Sequence, residues 1–126
     1  MNKNVIFICC MLFSCICCAK QPEFRSLAPA AFEKLLKEDA TVQLVDVRRS
    51  EEFEAGHLDN ALLINVLEYD FILKAKVMLN KSHPVAVYCR SGKRSKDAAK
   101  LLVKEGYTVY DLDSGYIGWM DYIKDK

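Results

Sequence analysis

VAVYCRSGKRSKDAAKLLVKEGYTVYDL, running from Val85 to Leu112, joins an apolar run, a cationic loop, a helical pattern and a second apolar run. Val85 to Tyr88 is apolar at successive positions, as in a strand buried on both faces, and Pro84 sets its start. Near Ser95 the spacing becomes helical: Ala98, Leu101 and Leu102 share a face, and Gly106 ends the pattern. Tyr107 to Leu112 reads as a strand again. Strands of this kind, separated by helices, pack into a sheet covered on both sides.

The same alternation extends outward. LAPAAFEKLLKED (27–39) places Phe32, Leu35 and Leu36 at helical spacing, with Pro29 suited to a first turn. TVQLVDV (41–47) and ALLINV (61–66) are strand candidates, and RSEEFEAGH (49–57) between them predicts a short helix that Gly56 ends. EYDFILKAKVML (68–79) predicts a helix presenting Phe71, Leu73, Val77 and Met78 to a core. YIGWMDYIK (116–124) predicts a last helix. The expected fold is α/β, a small, mostly parallel sheet flanked by helices, in one domain over residues 26–126. No internal repeat or low-complexity tract interrupts it.

The 126-residue chain has a formal net charge of +1, which gives no general attraction to nucleic acid. Five of its six cysteines, Cys9, Cys10, Cys15, Cys17 and Cys18, lie near the start, so the domain keeps the single thiol of Cys89 and no disulfide scaffold. Residues 1–19 pair a basic Lys3 with a short apolar run, the shape of an export signal, and residues 20–25 form a linker. LFSC (12–15) is similar to a lipobox, with Cys15 as the lipidated residue. Cys17 or Cys18, or ordinary cleavage after Ala19, are the alternatives. The expectation is an exported protein of a bacterial cell envelope, either periplasmic or tethered to the membrane as a lipoprotein.

Cys89 ends an apolar strand, and in an open parallel sheet ligands bind beyond the carboxyl ends of the strands. Gly92 permits a sharp turn, the following helix start directs backbone N–H groups at the loop, and Arg90, Lys93 and Arg94 surround the sulfur with positive charge. Such surroundings favour a thiolate nucleophile over an inert buried thiol.

Three segments in order, DVRRSEEFEAGHLDNALLINV (46–66), YCRSGKRS (88–95) and LDSGYIGW (112–119), together resemble the rhodanese-homology family from about residue 24 to the end. Ser114 departs from that family's usual glycine and Leu67 from its frequent proline. The resemblance implies a single-domain sulfurtransferase without metal or cofactor, and a monomer. Cys89 would take the sulfane sulfur of a small anionic donor and pass it to cyanide or a thiol. Arg90, Ser91, Gly92, Lys93, Arg94 and Ser95 would cradle the anion. Asp46 would support the loop, and Arg48 would orient an anion or pair with Glu51 or Glu52. The resemblance makes His57 a turn-stabilising residue, and Trp119 reads as packing. Lys96 reads as a solvated charge.

Other classes fit less well. A cysteine phosphatase or arsenate reductase needs an arginine six residues after the cysteine, and here that residue is Ser95. A thiol-disulfide oxidoreductase needs a resolving cysteine that the domain lacks. A persulfide carrier without turnover, or a binding module that kept the fold, stays open.

Overall fold

The computed structural model describes residues 23–126. The export signal, Cys15 and most of the linker therefore lie outside the described residues. Strands β1 (Arg25–Leu27), β2 (Gln43–Asp46), β3 (Leu62–Leu63), β4 (Val85–Tyr88) and β5 (Val109–Leu112) form one sheet in the order β1-β5-β4-β2-β3. Every described pairing is parallel. The helices are α1 (Pro29–Glu38), α2 (Ser50–Ala55), α3 (Phe71–Met78), α4 (Lys93–Lys104) and α5 (Gly115–Lys124).

β4 is central, and all four of its residues are buried. Its side chains alternate between two cores, as a strand's period of two requires. Val85 and Val87 join Phe71, Ala75, Ala98 and Leu102 in the layer beneath α3 and α4. Ala86 and Tyr88 join Phe32 and Leu112 in the layer beneath α1 and α5, with Tyr116 and Trp119 packed against it. Burying each large apolar side chain contributes about 1.5–3 kcal/mol, so the continuous apolar run of β4 and the buried apolar residues of β2 and β5 specify the middle of the sheet.

Four expectations are corrected. α4 begins at Lys93, two residues before Ser95, and its buried face is Ser95, Ala98, Ala99, Leu102 and Val103, while Leu101 is exposed. On α3 the buried residues are Phe71 and Ala75, four apart, while Leu73, Val77 and Met78 face outward. Ala75 draws the helix close to the sheet because it is small, a property that apolar spacing alone does not register. The strand predicted over 61–66 shortens to two paired residues at the sheet edge. Finally, Arg25 belongs to β1 rather than to a linker: Arg25 to Leu27 pairs with Tyr110 to Leu112. Three residues, two exposed and one partly buried, carry no alternation long enough to be read as a strand.

Asp46 lies beside Tyr88 in the β2–β4 register. The segments that leave these two strands, Val47 to Arg49 and Cys89 to Gly92, therefore emerge side by side at the carboxyl edge.

Candidate active site

Cys89 follows the last residue of β4 and is 1% exposed. The chain then turns back over the sulfur: the Gly92 N–H donates to Cys89 Sγ at 3.1 Å. Of the several amides that the sequence suggested, this is the one within bonding distance. Ser95 Oγ lies 3.5 Å from Sγ and donates to the Gly92 carbonyl at 3.2 Å. In so buried a place each of these bonds gains strength from the low dielectric.

The turn depends on Gly92, whose φ of 101° is in the left-handed region. A Cβ there would meet the Asp113 carbonyl oxygen at 2.0 Å. The loop rests on the start of α5, where the free N–H groups of a helix N-terminus need acceptors. Tyr116 N–H donates to the Cys89 carbonyl at 2.8 Å and Ile117 N–H to that of Arg90 at 3.0 Å. Lys96 is no solvated charge: it braces the same seam, donating to the Gly92 carbonyl at 3.2 Å and pairing with Asp111 at 3.0 Å and Asp113 at 2.9 Å. Ser114, where the resembled family has glycine, is accommodated one turn on, because only a glycine at Gly118 leaves room for its Oγ.

The expected anion-binding cations separate into two kinds. Arg90 and Lys93 are exposed, as is Ser91, and among the described residues neither cation has a carboxylate within ion-pair distance. Arg94 instead grips Glu52 with two bonds of 2.7 and 2.9 Å. Hydrogen bonding to Glu52 is the main reason the Arg94 guanidinium is held above its ordinary value, and the negative charge of Glu52 adds to it. The partner predicted for Arg48 thus belongs to Arg94.

The Arg94 bonds hold the Glu52 carboxyl down at about 2, from an ordinary 4.5. A folded-state value below the unfolded one stabilises the fold above about pH 4.5, and this contribution is lost as pH falls toward 2. Uncorrected linkage would give about 3 kcal/mol. Screening at a side chain 26% exposed reduces this to about 1–2 kcal/mol. In urea unfolding, Glu52→Gln should therefore be less stable than the natural chain by that amount at pH 7, and the gap should close by pH 2–3. A gap that does not change with pH would contradict the assignment.

Asp46 and Arg48 also depart from expectation. Asp46 is 0% and Arg48 3% exposed, so neither presents itself to a substrate from solvent. The hydrogen bonds of the Asp46 carboxylate go to Arg48, at 2.8 to 3.1 Å, rather than to the Cys89 loop. Arg48 in turn donates to the Gly56 carbonyl at 2.7 Å and lies 4.4 Å from the Tyr116 ring centroid. The pair supports the loop indirectly, through Tyr116 and the segment that carries α2. His57 packs on Phe53, ring centroids 3.6 Å apart, with Nδ1 2.8 Å from the Phe53 carbonyl, which is the turn-stabilising position expected. Trp119 packs edge-on against Phe32.

Beside the loop lies a cleft of about 350 Å³ lined by Arg49, Glu52, Leu67, Arg90 and Arg94. Arg49 was not identified from the sequence, because its approach to Arg90 depends on β2 and β4 being neighbours. Among the described residues no helix is long and apolar enough to cross a membrane.

The sequence pattern of the rhodanese-like domain matches residues 28–122, and the chain belongs to that family. A rhodanese-like domain-containing protein of Arabidopsis thaliana is 34% identical over 101 residues, which are 71% of this chain and 64% of the relative. A thiosulfate sulfurtransferase of Pseudomonas savastanoi pv. phaseolicola is 35% identical over 106 residues, 82% of this chain and 94% of the relative. Among solved structures, a rhodanese-related protein from Thermoplasma volcanium superimposes with a TM-score of 0.69 at 26% identity, covering 79% of this chain and 93% of that one.

Proposed function

We propose that the chain is a sulfurtransferase that works through a persulfide on Cys89, taking sulfur from thiosulfate, a polysulfide or a persulfide. The observation that carries the reading is the Gly92 N–H directed at the buried Cys89 Sγ from 3.1 Å within a tight loop. The thiolate attacks the outer sulfur of thiosulfate. The new S–S bond forms as the old one breaks, and its electron pair leaves with sulfite. Cys89 then carries an anionic persulfide, toward whose charge the Gly92 N–H is directed as a donor of an oxyanion hole is. Cyanide or a thiol attacks the terminal sulfur, departs as thiocyanate or a persulfide, and restores the Cys89 thiolate. Each half-reaction conserves charge and needs no proton, electron or cofactor from outside. The thiosulfate sulfurtransferase relative supports this class of activity.

Phosphate chemistry finds less support. Position six of the loop is the buried Ser95, and Arg94 is already engaged by Glu52. The tether at Cys15 and the cell-envelope location belong to the same proposal, and a lipid-labelling experiment on the expressed chain tests them separately.

The deciding experiment incubates the full-length chain with thiosulfate and weighs it by intact mass spectrometry. One added sulfur that cyanide removes is the expected result, and Cys89→Ser should lose transfer by on the order of a thousandfold or more. Sulfur gained only from polysulfide or a persulfidated thiol would move the reading to a carrier. No adduct from any donor would sink it.

A further inference from the structure

The charge in the cleft is arranged so that one residue outside the Cys89 loop can choose the donor. Three of the five lining residues are arginines and one is a glutamate, which leaves an excess of two positive charges. Arg94 contributes little to binding a new anion, because that anion would first have to displace two charge-assisted bonds to Glu52. Arg49 and Arg90 are different: both are exposed, and among the described residues neither has a carboxylate within ion-pair distance. They come from separate elements, Arg49 from the β2–α2 junction and Arg90 from the loop after β4. The parallel register of β2 and β4 brings them to one cleft.

We infer that Arg49 and Arg90 form an anion subsite in this cleft, in which Arg49 selects sulfur donors that carry negative charge on the group remote from the transferred sulfur. The inference rests on the sulfurtransferase reading and extends it to donor class. Size cannot make the choice, since a cleft of about 350 Å³ accepts either an inorganic anion or a small organic one. Leu67, 54% exposed on the cleft wall, tolerates an apolar substituent. Charge remains as the discriminating property. Thiosulfate, a dianion, keeps its full charge on the leaving sulfite group. Methanethiosulfonate, a monoanion with the same type of sulfane bond, leaves as methanesulfinate.

The test measures transfer by the full-length chain from both donors. Arg49→Gln should raise KM for thiosulfate about tenfold, change KM for methanethiosulfonate less than about threefold, and leave kcat within about twofold. Arg49→Lys should recover most of the thiosulfate KM. Lys100→Gln removes an exposed charge from α4 and should alter neither donor. A second readout needs no turnover: sulfate binding, followed by amide chemical shifts, should weaken about tenfold in Arg49→Gln. Equal changes in KM for both donors, or none, would overturn the inference. If the natural chain takes sulfur from no donor, the transfer reading fails by itself. Weaker sulfate binding in Arg49→Gln would then still support the subsite, and unchanged or undetectable sulfate binding would overturn it.

Discussion

Gly92→Ala should abolish sulfur transfer and cost about 3–5 kcal/mol of stability, an unusually large effect for the addition of one methyl group. Two penalties combine at this position. The φ of 101° is strained for any residue with a Cβ, and the Cβ itself would lie 2.0 Å from the Asp113 carbonyl oxygen. That oxygen is backbone in the turn leading to α5, and Gly115, the first residue of α5, has its own tight seat, where a Cβ would meet the Arg90 carbonyl oxygen at 2.5 Å. Neither side can retreat cheaply. Relief requires the loop to lift, and lifting it carries the Gly92 N–H away from Cys89 Sγ. Gly106→Ala separates the two penalties. Its φ of 96° is nearly as strained, but the nearest atom to an added Cβ is Lys81 Cδ at 4.0 Å. That variant should lose about 1–2 kcal/mol and keep its activity. Thermal unfolding and persulfide yield, measured on both variants, check the argument. If Gly92→Ala is no worse than Gly106→Ala, the packing of loop against turn is not what holds the site.

The contrast between what the sequence disclosed and what it concealed follows from where each signal resides. β4 was legible because burial on both faces leaves an unbroken apolar run, β5 because its run is apolar but for Asp111, and Cys89 because it ends the first of these runs beside a glycine and three cations. The family resemblance joined these segments in order. The buried face of α3 was misread, since its contact with the sheet is made by Phe71 and a small Ala75, while larger apolar residues face outward. β1 is three residues long and takes its identity from the edge of β5 rather than from its own pattern. At the site, the types of residue were legible and their partners were not. Arg94 and Lys96 looked available, yet each is paired with a carboxylate distant in sequence, and Arg48 takes Asp46, two residues before it, rather than Glu51 or Glu52. Arg49 carried no signal because only the sheet order places it near Arg90.

Asp46→Ala should cost about 3–5 kcal/mol, because it leaves the Arg48 guanidinium 3% exposed with no countercharge. Arg48→Ala should cost a similar amount by stranding a fully buried carboxylate. The pair is bidentate, with Arg48 Nε 3.0 Å from Asp46 Oδ1 and Nη2 2.8 Å from Oδ2, so Arg48→Lys should recover little: an ammonium cannot reproduce the fork. The double variant discriminates between mechanisms. If the single losses come mainly from a stranded charge, removing both charges should cost distinctly less than the sum of the two. It should still cost something, since Arg48 also satisfies the Gly56 carbonyl and packs against the Tyr116 ring. That remainder connects stability to function. Tyr116 holds the Cys89 carbonyl through its own N–H, and Gly56 closes the helix that carries Glu52 toward Arg94. Loosening Arg48 should therefore lower persulfide formation in the fraction of protein that remains folded, beyond what the folded fraction alone predicts. Urea unfolding of the two single variants and the double, with sulfur transfer measured at a temperature where all three are folded, makes the comparison. Strict additivity of the stability losses, or full activity in folded Arg48→Ala, would show that the pair holds only the end of β2.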